Sequence, residues 1–102
     1  MKNKKTFNSR CYEILRKVPR GKITTYKELA KAIGVSRGAR AVGNAMNKNP
    51  YAPKVPCHRV IKSNGEIGGF AYGTKKKIEM LRKEGVEIID RKVDLERYGF
   101  EF

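Results

Sequence analysis

Three of the chain's four prolines, Pro50, Pro53 and Pro56, fall in one short stretch. Proline lacks the N–H that helix and sheet ladders need, so this stretch can be neither regular helix nor central strand. The residues just after it are therefore delivered on a stiff, irregular loop. They read Pro56-Cys57-His58-Arg59-Val60, with the only histidine in 102 residues beside one of two cysteines. A thiolate is a far better nucleophile than a thiol. A neighbouring imidazole can take the thiol proton directly or through a water, and nearby arginines favour the negative charge that results. Adjacent residues in a strand point to opposite faces, so the dipeptide alone fits a small buried thiol and a satisfied histidine equally well. The loop tips the balance towards chemistry, because reactive groups tend to sit on loops held by a scaffold.

Lys and Arg number 24 against 10 Asp and Glu, a net charge of +14. So large an excess on one small domain points first to a polyanion, most often nucleic acid. A lysine-rich solvated surface of the thermophile kind accounts for part of the excess but not for its sign. No helix pairs a strongly basic face with a bulky aromatic-apolar one, and no apolar run approaches the roughly 18 residues of a membrane span. No membrane partner is expected, no signal-peptide pattern is present, and the expected location is cytoplasmic, nucleoid-associated or, in a eukaryote, nuclear. Two cysteines without secretory context suggest a reducing compartment. Two Cys and one His cannot build a four-ligand zinc site without added carboxylates, so neither metal nor cofactor is expected. The length suits one domain over 1–102, with residues 1–5 as a frayed basic lead-in.

Phe7, Cys11, Ile14, Leu15 and Val18 share one helical face, which predicts a helix over 7–18 with Cys11 in the core. Pro19-Arg20-Gly21 stops it, and Ile23-Thr24-Thr25 is a candidate extended piece. Thr25 is a good N-cap for a helix over 26–33, Gly34 its stop, and Ser36 the cap of a helix over 37–47. Two short helices joined by a glycine turn make a helix-turn-helix, whose second member normally enters a DNA groove. That second helix is thin: Ala41, Gly43 and Ala45 surround Arg40, and a glycine inside a helix costs about 1 kcal/mol against alanine. Close approach of the backbone to another surface explains such a cost, and so does tight helix–helix packing; Arg40 favours a DNA-facing surface. After Cys57, Val60-Ile61 is a short strand and Ser63-Asn64-Gly65-Glu66 a hairpin turn with Asn-Gly at the centre of a type I′ turn. Residues 67–73 form a flexible aromatic wall, Thr74 caps a helix ending at Glu84, and Gly85 is its C′ residue. Val86 to Ile89 is extended, and 93–102 packs back through Leu95, Tyr98 and Phe100. The expected fold is mainly α with a small β hairpin, a winged helix-turn-helix-like DNA-binding domain.

Taken together these residues resemble the active-site, DNA-binding domain of the O(6)-alkylguanine-DNA alkyltransferases. Pro56-Cys57-His58-Arg59-Val60 stands as that family's active-site signature. Thr25-Tyr26, Arg40-Ala41-Val42-Gly43 and Asn49-Pro50 precede it in the matching order, and Gly68-Gly69-Phe70 and Glu84-Gly85 come after it. The resemblance covers about 7–86 without obvious gaps.

It implies direct-reversal repair of double-stranded DNA containing O(6)-alkylguanine, chiefly methyl, by a monomer that acts once, with no repair-pathway partner identified. Cys57 would accept the alkyl group, His58 would deprotonate it through a water, and Glu84 would hold His58 in the correct tautomer. Asn49 would tie the helix end to the active-site loop, with Pro56 and Arg59 structural, Arg59 pinning the loop through a carboxylate. Arg40 would enter the duplex from the minor groove, on the thin helix that Ala41 and Gly43 help to form. Tyr26 would crowd the neighbouring phosphate and then hydrogen-bond the flipped base. Met46 and Phe70 would line the base pocket, and the backbones of Val60 and Ala71 would read the guanine edges.

Extruding a base costs a few kcal/mol, least for a badly paired one such as an alkylated guanine. The N-terminal RNase H-like domain of full-length members is not expected here. Asn44 stands where many relatives have a small residue, and Phe70 lacks a hydroxyl that some have. The ending Lys92-Val93-Asp94-Leu95-Glu96-Arg97-Tyr98-Gly99-Phe100 is similar to alkyltransferase-like proteins, which bind alkylated DNA without repairing it and lack the cysteine. This chain keeps Cys57. The alternatives are therefore a lesion-recognition protein without efficient transfer and, further off, a helix-turn-helix regulator whose Cys-His pair is incidental; a cysteine hydrolase has no evident oxyanion arrangement to support it.

Overall fold

A computed structural model of the chain describes residues 6–35 and 37–102. The lead-in 1–5 and the expected cap Ser36 lie outside the described residues. Helix α1 (Phe7–Leu15) opens on Thr6, whose Oγ1 accepts the Ser9 N–H at 3.1 Å. It ends earlier than its apolar face suggests, and Val18 is reached through turns closed by Lys17 N–H to Ile14 O and Val18 N–H to Leu15 O. Strand β1 (Thr24–Thr25) runs straight into α2 (Tyr26–Ala32), where Thr25 Oγ1 accepts the Glu28 N–H at 3.0 Å, the cap the sequence predicts. Gly34, at φ +84°, closes α2: its N–H reaches Lys31 O and that of Val35 reaches Ala30 O. Helix α3 (Ala39–Asn47) starts two residues later than expected, with Gly38 in the cap position and no side-chain cap bond.

The proline loop ends in a single 3-10 turn, Cys57–Arg59, that leads into β2 (Val60–Ile61). Here the pairing differs from expectation. β2 pairs in parallel with β1, Thr24 opposite Val60 and Thr25 opposite Ile61, and is not the arm of a hairpin ladder. The turn itself forms, with Gly65 N–H to Lys62 O and Lys62 N–H to Glu66 O, both 2.9 Å. Only Gly65 has positive φ, so Ser63 and Asn64 hold the central positions and the turn is not type I′. The C-terminal segment takes the residues beyond it: Val93 N–H donates to Gly65 O, Ile67 N–H to Arg91 O, and Glu66 bridges Lys92. A small hairpin does close at 89–92, with Asp90 and Arg91 both left-handed (φ 52° and 62°).

Helix α4 (Thr74–Lys83) has Gly73, not Thr74, as its cap; Thr74 is already the first helical residue, so its hydroxyl caps nothing. Glu84 is the C-cap, and Gly85 (φ +90°) ends the helix as expected, its N–H donating to Arg82 O. A last helix, α5 (Leu95–Tyr98), is capped by Asp94.

Two apolar cores flank the parallel pair. The first joins Cys11 and Leu15 of α1, Leu29 of α2 and Val42, Ala45 and Met46 of α3 with Val55, Cys57 and Val60. The second holds Ile23, Ile61, Ile67, Leu81, Val86, Val93 and Tyr98. Strand alternation sends Val60 to the first core and Ile61 to the second. Cys57 thus sits at the seam where the helix-turn-helix half meets α4 and the tail.

Candidate active site

Asn49 shapes the loop before the cysteine. Its Nδ2 donates to Val55 O at 2.8 Å and its Oδ1 accepts the Tyr51 N–H at 2.9 Å, so both ends of a buried amide are used. Pro56 (φ −82°, ψ 69°) then makes an inverse γ-turn, closed by Cys57 N–H to Val55 O at 2.9 Å. A bend this tight swings Cys57 and His58 inward, leaving them 4% and 2% exposed.

His58 Nε2 lies 2.9 Å from Glu84 Oε2. Arg59 grips the same carboxylate with two bonds, Nε to Oε1 at 2.9 Å and Nη2 to Oε2 at 2.8 Å, while its Nη1 donates to Val18 O at 2.8 Å. Burial alone would raise the Glu84 carboxyl; the hydrogen bonds from Arg59 and His58, with the charges of both, outweigh it and hold Glu84 below the ordinary carboxylate value. An ionised carboxylate only accepts, so Nε2 carries the imidazole proton. Burial, helped by the Arg59 and Lys77 charges, pushes His58 below its ordinary value against the pull of Glu84. The imidazole is thus neutral near pH 7, with a lone pair on Nδ1, and buried Nδ1 has no hydrogen-bond partner among the described residues. A neutral histidine, fixed in one tautomer beside a cysteine and holding an unused acceptor, has the attributes of a base.

The other expected site residues divide into two groups. Arg40, Ala41 and Asn44 lie on the outer face of α3, exposed, with Gly43 half-buried beside them. Val42, Ala45 and Met46 face inward. A Cβ built on Gly43 would meet nothing within 4 Å, so packing inside the chain does not demand glycine there. Tyr26, half-buried on α2, and Phe70 both border the first core. Phe70 also stands over an open pocket of about 340 Å³ lined by Ala52, Pro53, His58, Tyr72, Lys76 and Met80. Met46, Val60 and Cys57 are not part of that lining; they lie in the first core, and the Val60 N–H is already donated to Cys57 O. Ala71 is exposed on the loop between.

One neighbour went unnoticed in the sequence. Lys77 on α4 is wholly buried, its Nζ donating to Gly69 O at 3.0 Å and lying 5.8 Å from the centroid of the Tyr26 ring. It sits four residues before Leu81, on the apolar stripe, and that spacing is the signal that the run Lys75-Lys76-Lys77 concealed.

With that geometry in place, comparison with known proteins decides the family. The model of the 6-O-methylguanine DNA methyltransferase DNA-binding domain matches residues 6–86. The chain belongs to that family. Among its relatives, a methylated-DNA–protein-cysteine methyltransferase of Metallosphaera sedula is 45% identical over 83 residues, covering 81% of this chain and 51% of its own. A bifunctional methyltransferase/endonuclease of Picrophilus torridus is 41% identical over 92 residues, 90% of this chain and 31% of its own. The chain therefore spans about a third to a half of the curated relatives it matches. Among solved structures, S. pombe Atl1 bound to damaged DNA containing O6-carboxymethylguanine superposes with a TM-score of 0.86 at 34% identity, covering 94% of this chain and 95% of that one. Mycobacterium tuberculosis OGT in complex with DNA gives 0.76 at 39% identity, covering 80% and 51%. These likenesses bear out the mainly helical fold with a small two-stranded sheet. No helix among the described residues is long and apolar enough to cross a membrane.

Proposed function

We propose that this family member repairs O(6)-alkylguanine in duplex DNA by moving the alkyl group irreversibly onto Cys57. The observation that carries the reading is the buried Glu84–His58 pair at 2.9 Å, with His58 next in sequence to Cys57 and its Nδ1, among the described residues, left as an unpartnered acceptor. His58 takes the thiol proton through a bridging water, and Glu84 steadies the imidazolium that forms. The sulfur attacks the alkyl carbon in line; the S–C bond forms as the C–O6 bond breaks, and the electron pair leaves on guanine, which takes up a proton. A thioether is not hydrolysed, so each molecule acts once.

Arg40 occupies the gap left by the extruded nucleotide, on the exposed face of α3, where the open space at Gly43 suits close approach of the backbone. Tyr26 crowds the adjacent phosphate and bonds the flipped base. Phe70 supplies a stacking face over the pocket floored by His58, with Met46 behind it and the main chain around Val60 and Ala71 at the base edge. Asn49, Pro56 and Arg59 hold the loop in its bend. The net charge of +14 supplies the sequence-independent attraction to DNA.

A second reading is a recognition protein that binds the lesion without transfer, favoured by the near-complete superposition on Atl1. Restored guanine separates the two. With an O(6)-methylguanine duplex whose restriction site is cut only when the base is unmodified, the transfer reading predicts cutting that rises linearly with protein and stops at one site per molecule. Tight lesion-selective binding with no cutting would leave recognition as the function.

A further inference from the structure

Lys77 is an oddity of this molecule: a lysine with no exposed surface and, among the described residues, no carboxylate paired with it. Taking an ammonium out of water is costly unless another charge or strong acceptors answer it. The structure gives it one carbonyl, Gly69 O at 3.0 Å, and the face of Tyr26 at 5.8 Å. Its helix packs on the 3-10 turn that carries Cys57 and His58. The titratable groups set against it are Cys57 and His58 from that turn and Tyr26 from α2. Glu84 is already gripped by Arg59 and His58, and neighbouring Lys76 is exposed and of like sign. Burial raises the Tyr26 phenol and keeps it neutral, which leaves Cys57 as the group able to supply the missing negative charge.

We propose that Lys77 is a positioning residue of this site, the buried counter-cation of the Cys57 thiolate, held in place by the Gly69 carbonyl and the Tyr26 ring. The electrostatics run in the same direction. Burial brings Lys77 down to about 8, with Cys57 pulling it back up, so the ammonium is still mostly protonated near neutrality. The Lys77 charge also disfavours protonation of His58, which keeps the neighbouring base neutral. The loop bearing Phe70 is tied to the same ammonium through Gly69, so one group serves both the sulfur and the pocket wall.

The inference rests on Cys57 being the reactive nucleophile, but its test needs no DNA, so its failure and that of the repair reading are separable. Wild type, Lys77→Met and Lys77→Arg are treated with iodoacetamide across pH 5–10, and Cys57 modification is tracked by peptide mass spectrometry. If the ammonium is the counter-charge of the reacting sulfur, Lys77→Met should react about tenfold or more slowly at pH 7 and converge with wild type at high pH. Lys77→Arg, which keeps the charge, should stay near wild type. A rate lowered equally at every pH would mean that Lys77 only shapes access; an unchanged profile would remove it from the site. Both outcomes overturn the proposal. Should Lys77→Met not fold, NMR titration of Lys77 Nζ in wild type and Cys57→Ser gives the reciprocal reading. Loss of the thiolate should move the Lys77 midpoint to lower pH, and no movement would refute the pairing.

Discussion

Gly43→Ala sets the fold and the proposed DNA contact against each other. Glycine inside a helix costs about 0.8–1 kcal/mol relative to alanine, and Gly43 lies well inside α3. Its φ is outside the left-handed region and an added Cβ meets nothing within 4 Å, so neither strain nor a clash offsets the gain. The free protein should gain close to 1 kcal/mol, which for a domain of this size raises Tm by roughly 4–8 °C. On duplex DNA the sign reverses. If the thin face of α3 is pressed against the backbone of an opened duplex, one methyl in that contact costs on the order of 1 kcal/mol, about fivefold in Kd. The assays are thermal unfolding of the free protein and fluorescence anisotropy with an O(6)-methylguanine duplex at fixed salt. A lower Tm would mean that the helix packs internally at Gly43. A higher Tm with unchanged affinity would mean that nothing outside the chain approaches this face.

Glu84→Ala should destabilise by about 3–5 kcal/mol, because it leaves the Arg59 guanidinium, 15% exposed, without its carboxylate; a loss below about 1 kcal/mol in urea unfolding would contradict the pinning role. Two buried groups of the site each carry a pH dependence. His58 and Glu84 both sit below their ordinary values in the folded chain, so the unfolded chain binds protons more readily. Their stabilisation is present above the unfolded values and lost on acidification, for His58 as pH falls below ~6.5 and for Glu84 below ~4.5. Tm should fall between pH 7 and 5, and His58→Asn should flatten that slope; an identical slope in the variant would argue against a buried neutral imidazole.

The features legible in the sequence are the ones written in local chemistry. Thr25 caps α2 because its hydroxyl reaches an N–H three residues on, and Gly34 and Gly85 end their helices because glycine accepts the left-handed turn. The site was legible for the same reason: Cys57 and His58 are neighbours on a proline-stiffened loop, and the resemblance supplied Glu84, far along the chain. What failed was partner choice. The turn at 62–66 forms, but whether its arms pair with each other depends on the distant segment around Arg91 and Val93, which takes the hydrogen bonds instead. The parallel pairing of β1 with β2 is two residues long, too short for any periodic signal. Asp90 and Arg91 turn left-handed without the Gly or Asn that marks such turns. Thr74 fits the cap chemistry yet lies one residue inside its helix, after Gly73. Lys77 was hidden because three consecutive lysines suggest a solvated face, and only spacing to Leu81 separates the buried one from its neighbours.

The central claim is that Cys57 takes the alkyl group from DNA. Its most direct test is intact-mass and peptide spectrometry after mixing the protein with an O(6)-methylguanine duplex. The account predicts a gain of one methylene on the peptide holding Cys57, absent with undamaged duplex and in Cys57→Ala. An unchanged mass under conditions where the lesion is bound would contradict it.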